Sequence, residues 1–212
     1  MNYRYMFPAL LAFFLLTSCF GINADITLNR NGSGTINLEY QISKSLETLG
    51  RLDGNERWNT IPVGRADFER TLERLPEMKL LSFSSREDEN NLVVAVKMEF
   101  SSIQGLFAFL DAHGQRFSFT GDPSSGRMVL TLNEGGETIN PGLDNLINAV
   151  SGGYFVNIGM TFPGEGNAVV TDRQGTPVNS GDVLGQGRRV SARFPLYDVL
   201  SADNGLNVEF SW

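Results

Sequence analysis

The sequence predicts an α+β domain, an antiparallel sheet with amphipathic helices packed on one face. Three observations predict it. Several segments alternate apolar and polar residues at period two, the mark of strands with one covered face. Turn sequences such as Asn31-Gly32 join neighbouring strands as hairpins. Three other segments repeat apolar residues at helical spacing, the stripe of an amphipathic helix.

From the start of the domain, Ile26 and Leu28 alternate with polar residues. After "NRNGSGT", Ile36, Leu38, Tyr40 and Ile42 alternate again. "SKSLETLG" (Ser43 to Gly50) reads as a short helix ended by glycine. A polar stretch with Trp58 as its largest apolar side chain leads to the first clear helix, Arg65–Leu75. There Phe68, Leu72 and Leu75 form one stripe, and Pro76 ends it. Leu80 to Phe83, the polar turn "REDENN" and the strand Leu92–Phe100 follow. Val94, Val96 and Met98 point one way on that strand, and Lys97 and Glu99 the other.

Ser101-x-x-Gln104 is a capping-box pattern for the helix Ser102–Ala112, whose stripe is Ile103, Leu106, Phe107 and Leu110. A second hairpin runs from Phe117 and Phe119 through "GDPSSG" to Met128, Leu130 and Leu132. Asn140-Pro141 opens a third helix, Pro141–Val150, with a cap and an N1 proline. The strand Tyr154–Phe162 follows, with Ile158 and Met160 on its covered face. A glycine-rich stretch holds a weak strand at Ala168 to Thr171. "RRVSARF", the short helical "PLYDVL" and the strand Leu206–Trp212, with Phe210 facing inward, complete the chain. The order strand-strand-helix occurs three times without a residue-level repeat.

The only cysteine, Cys19, stands at the end of an apolar N-terminal run. That run, Tyr5 to Leu16 behind Arg4, is too short for a bilayer span of about 20 residues. It suits the h-region of a secretory signal. Leu16-Thr17-Ser18-Cys19 has the form of a lipobox, in which Cys19 is lipidated and becomes the new N-terminus. Ile22-Asn23-Ala24 is the other exit, an ordinary signal-peptidase site after Ala24. Residues 1–24 are therefore assigned to leader and tether, and 25–212 to one domain. The location expected is the cell envelope, with the chain held on the membrane by its lipid or free in the periplasm. A single thiol excludes an intramolecular disulfide, so the core alone must hold the domain together.

The charge of −7 excludes the basic footprint of a nucleic-acid binder. His113 is the only histidine, too few for a zinc site in a domain without cysteine. No nucleophile elbow, P-loop or dinucleotide fingerprint is present. Asp172, Asn179 and Asp182 offer oxygens in a long loop, but their spacing matches no calcium loop. The expectation is a non-enzyme without metal or cofactor. Of the 15 Phe, all but Phe7, Phe13, Phe14 and Phe20 belong to the domain, and with the strand methionines Met98, Met128 and Met160 they are the unusual inventory on its covered faces. Met98, Phe100, Met128, Met160 and Phe162 are the residues expected to line an apolar ligand site, because Met adapts to irregular surfaces.

"DITLNRNGSGTINLEYQI" and "VNIGMTFPGEGNAVV", with Gly32-Ser33 and Pro163-Gly164, resemble the LppM-like family of bacterial lipoproteins. The resemblance implies a lipobox leader and an α+β domain that binds lipid-like ligands. Three function classes follow: an apolar-ligand binder, a structural or assembly lipoprotein that binds another envelope protein, and an outer-membrane barrel. The helical stripes count against the barrel, whose wall is strand throughout. An enclosed cavity would favour the first class, and exposed apolar surface on a solid core the second.

Overall fold

A computed structural model describes residues 21–43, 62–89, 91–111, 114–136, 144–145, 147–148 and 151–212. Cys19, Trp58 and His113 lie outside the described residues, as does the helix expected over Ser43 to Gly50 except for Ser43 itself, which ends a strand. So does most of the helix expected over 141–150, of which Asp144, Asn145, Ile147 and Asn148 are described and are helical.

The first hairpin pairs β1 (Ile22–Leu28) with β2 (Gly34–Ser43). Its five-residue loop turns on Gly32, at φ 83°, where a side chain would be strained. Asn31 Oδ1 accepts from the Ser33 amide at 3.1 Å. Helix α1 (Arg65–Leu72) buries Phe68 and Leu72, and Asp67 accepts from the Gly64 amide at 3.0 Å to cap its first turn. The second hairpin pairs β3 (Met78–Glu87) with β4 (Asn91–Phe100). Phe68 of α1 lies 5.8 Å from Phe83 of β3.

Helix α2 (Ile103–Leu110) starts one residue later than its capping pattern suggested. The Ser101 amide is already used by the Glu77 carbonyl at 2.9 Å, so Ser102 becomes the cap and accepts from the Gly105 amide at 3.0 Å. Strands β5 (Phe117–Asp122) and β6 (Ser125–Asn133) form the third hairpin. The rest of the chain supplies β7 (Phe155–Thr161), β8 (Asn167–Thr171), β9 (Asp182–Gln186), β10 (Arg189–Pro195), helix α3 (Leu196–Leu200) and β11 (Leu206–Ser211). Sequence periodicity missed β9, every residue of which is exposed.

The strands form two sheets, not one. The larger has the order β3-β4-β2-β1-β7-β10-β9, and the smaller β5-β6-β11-β8. The larger is mixed, because β1 and β7 run parallel. The expected sheet uniting Leu92–Phe100, Tyr154–Phe162 and Leu206–Trp212 is thereby corrected: the last of these, β11, belongs to the smaller sheet. Alternation shows that one face is covered, but a second sheet covers it as well as a helix does. Here the inner faces of both sheets share one apolar core with α1 and α2. The faces themselves are as expected. Val94, Val96, Met98, Ile158, Met160 and Phe210 are buried, and Lys97 and Glu99 are exposed. The domain belongs to the α+β class in its broad sense, at the β-rich end.

Candidate functional site

The five residues expected to line an apolar site all lie in the shared core. Met98, Phe100 and Phe162 are 0% exposed, Met160 1% and Met128 3%. Gly34 shows how closely this region is filled. A Cβ there would overlap the Thr27 carbonyl and the Phe100 ring, so only glycine lets that ring lie across β2. Among the described residues, no buried side-chain polar atom lacks a hydrogen-bond partner.

A row of aromatic rings runs along one end of this core. Phe107 of α2 is 4.6 Å from Phe117 and 5.9 Å from Phe119. Phe119 stacks on Trp212 at 5.9 Å, and Trp212 on Phe162 at 4.8 Å. Phe107, Phe117, Phe119 and Trp212 are only half-buried. The sequence showed these as strand and helix positions, but not that one indole joins them.

Tyr40 ties the core to the segment before α1. Its hydroxyl donates to the Pro62 carbonyl, and burial, with the nearby Asp67 carboxylate adding to it, pushes the phenol well above its ordinary pKa.

The outer face of the larger sheet is polar and carries an open depression of about 290 Å³. Strand register places its residues in two adjacent rows. One row reads Ser82, Lys97, Asn37, Asp25 and Gly159 from β3 to β7. The next reads Ser84, Ala95, Glu39, Asn23 and Asn157. Asp25 is fixed by Arg189, whose Nη2 donates to its Oδ1 at 2.7 Å. A Cβ on Gly159 would overlap that same oxygen, so glycine makes room for the carboxylate. Sequence reasoning passed over this face as the solvated side. Its only signal was the run of small and amide side chains between the apolar positions.

The loop carboxylates form no cation cage. Asp172 Oδ1 accepts from the Gln174 and Thr176 amides, both at 2.8 Å, and Asp182 opens β9. Among the described residues there is no group of three or more His, Cys, Asp or Glu able to hold a metal. No described helix is long and apolar enough to cross a membrane. Exposed large apolar side chains include Val183 at 41% and Leu184 at 61%, both on the edge strand β9. Compared with known protein families, curated proteins and solved structures, the chain matches none.

Proposed function

We propose that this chain is an exported, lipid-anchored envelope protein, not an enzyme, whose domain binds another envelope protein through its surface. The observation that carries the reading is the closure of the core. Met98, Phe100, Met128, Met160 and Phe162 are buried among their neighbours, which leaves the exposed apolar side chains to recognise a partner, and Leu184 of β9 is the most exposed of these among the described residues. An edge strand presents unpaired backbone groups to a second chain. In this reading the amphipathic helices close the flank of the larger sheet that carries β3.

The start of β1 supports anchoring at Cys19 over cleavage after Ala24. Ile22, Asn23 and Ala24 pair with Tyr40, Glu39 and Leu38 on one side and with Val156, Asn157 and Ile158 on the other. Cleavage after Ala24 would remove three residues from the middle of the larger sheet. Cleavage before Cys19 leaves β1 whole.

A lipid-like ligand is the second reading, in keeping with the LppM-like resemblance. The half-buried row of Phe107, Phe117 and Phe119 favours it, because an acyl chain entering there would meet aromatic surface first. Two measurements separate the readings. A photo-crosslinking residue at Leu184 is expected to capture one envelope protein reproducibly, while the same residue at Arg127, on the smaller sheet, captures none. Saturable uptake of a fluorescent fatty-acid analogue by the delipidated protein, with no adduct from Leu184, would replace the first reading by the second.

A further inference from the structure

We propose that the depression on the outer face of the larger sheet is a binding site for a neutral, hydroxyl-rich saccharide. This goes beyond the protein-binding reading and does not depend on it. The site lies on the outer face of the sheet, and of its lining only Leu38 and Val96 also belong to the core.

The first argument is unused hydrogen-bonding capacity. Asn23, Asn37, Glu39, Ser82, Ser84 and Lys97 line the depression. Among the described residues, none of these side chains makes a hydrogen bond or ion pair with another residue. Neighbours on a sheet face commonly pair with one another across strands. Here Lys97 stands beside Asn37 and Ser82, and Glu39 beside Ala95 and Asn23, so no opposite charges are paired directly across strands. Six polar side chains on four strands thus converge on one space.

The second argument is shape. The floor is built from small residues where β-branched side chains would be usual. Ala95 sits on β4, and Ser82 and Ser84 sit on β3. Four neighbouring strands span about 14 Å, enough for a short run of sugar rings laid across the strands. The volume, about 290 Å³, is at the small end of ligand sites, which run from roughly 300 Å³ upward.

The third argument is the balance of donors and acceptors. Asp25 and Glu39 accept, Lys97 donates, and the two amides and two serines do both. Asp25 is neutralised by Arg189, and Lys97 opposes Glu39 in charge, so the site has no strong net sign. An anion would need a cluster of cationic groups, and a cation a cluster of carboxylates. A sugar hydroxyl both donates and accepts, and so matches this mixed set. Asp25 is also held in place before any ligand arrives, by Arg189 and by the space over Gly159.

The test uses the mature protein with cellohexaose and chitohexaose as neutral probes and heparin as a polyanion. Backbone amide shifts are followed by NMR through titration. Saturable shifts centred on Asn37, Lys97 and Asn23 are expected with at least one neutral probe. Asn37→Ala and Lys97→Met are expected to weaken that binding roughly tenfold each, the scale of one or two lost hydrogen bonds. Both side chains are exposed, and unchanged circular dichroism would show that the variants fold. Arg127→Leu, on the smaller sheet, is expected to leave the affinity unchanged. The proposal is overturned if neither neutral probe binds, if both variants bind as tightly as the parent, or if heparin alone binds.

Discussion

Trp212 lies 4.8 Å from Phe162, ring centroid to ring centroid, at an interplanar angle of 11°. It also stacks on Phe119, at 5.9 Å and 15°. Its Nε1 donates to the Pro123 carbonyl at 3.0 Å, and its backbone exchanges two 3.0 Å hydrogen bonds with Gly126. One indole therefore joins the tip of the third hairpin to the end of β7, across the two sheets.

Replacing Trp212 by alanine removes both stacks and the Nε1 bond. The expected loss is about 3 kcal/mol, the lower part of the range for truncating a large aromatic. Trp212→Phe is expected to recover more than half of it. Urea unfolding followed by circular dichroism measures both, and equal stability of the alanine variant and the parent would refute the role given to the indole.

Gly34→Ala places a methyl group against the Thr27 carbonyl and the Phe100 ring. The backbone of the central hairpin must shift to accept it. A loss of about 2–3 kcal/mol is expected, as for overpacking of a filled interior. The control Gly164→Ala has open space around it and is expected to change stability by less than about 0.5 kcal/mol.

The Tyr40 phenol has a pKa raised by burial, with Asp67 as a second cause. The folded state thus holds its proton more tightly than the unfolded chain does. This contribution is complete below the unfolded value of about 10 and declines as pH rises from there towards the raised folded pKa. Tyr40→Phe is expected to cost about 1 kcal/mol at neutral pH, through the lost bond to Pro62. It is also expected to flatten the fall in stability above about pH 10. Parallel alkaline slopes in parent and variant would contradict this account.

Cys19→Ala is expected to abolish fatty-acid labelling and release the protein from the membrane fraction. The released domain should keep the unfolding midpoint of the parent, because β1 begins at Ile22. Unchanged membrane retention, with no label on the parent, would remove the lipobox reading.

Faces were the most legible part of this chain. On β4, Val94, Val96, Met98 and Phe100 alternate with residues that face the other way, and the covered side follows from period two alone. Helix starts were legible to within a residue, as at Ser102, where the competing ladder bond of Ser101 decided the register. Partnership between strands was not legible. The parallel pairing of Asp25 with Gly159 links positions far apart in the chain, and no local pattern encodes it. Strand β9 escaped because an exposed edge strand needs no apolar side and so leaves no period. The polar depression escaped for a related reason. Ser82, Asn37 and Lys97 look like any solvated positions until register sets them side by side.

The parallel contact between β1 and β7 also dictates a timetable. During synthesis the β1–β2 hairpin emerges early, with its β7-facing edge unsatisfied. More than a hundred further residues must appear before β7, beginning at Phe155, can dock against that edge. Closing so long a loop makes the step slow compared with hairpin formation. In the interval the open edge is a template for pairing with other chains. The hairpins can form as they emerge, but the larger sheet can be completed only after synthesis has passed β10, which ends at Pro195. A translational arrest between β6 and β7 would therefore strand an aggregation-prone half-sheet.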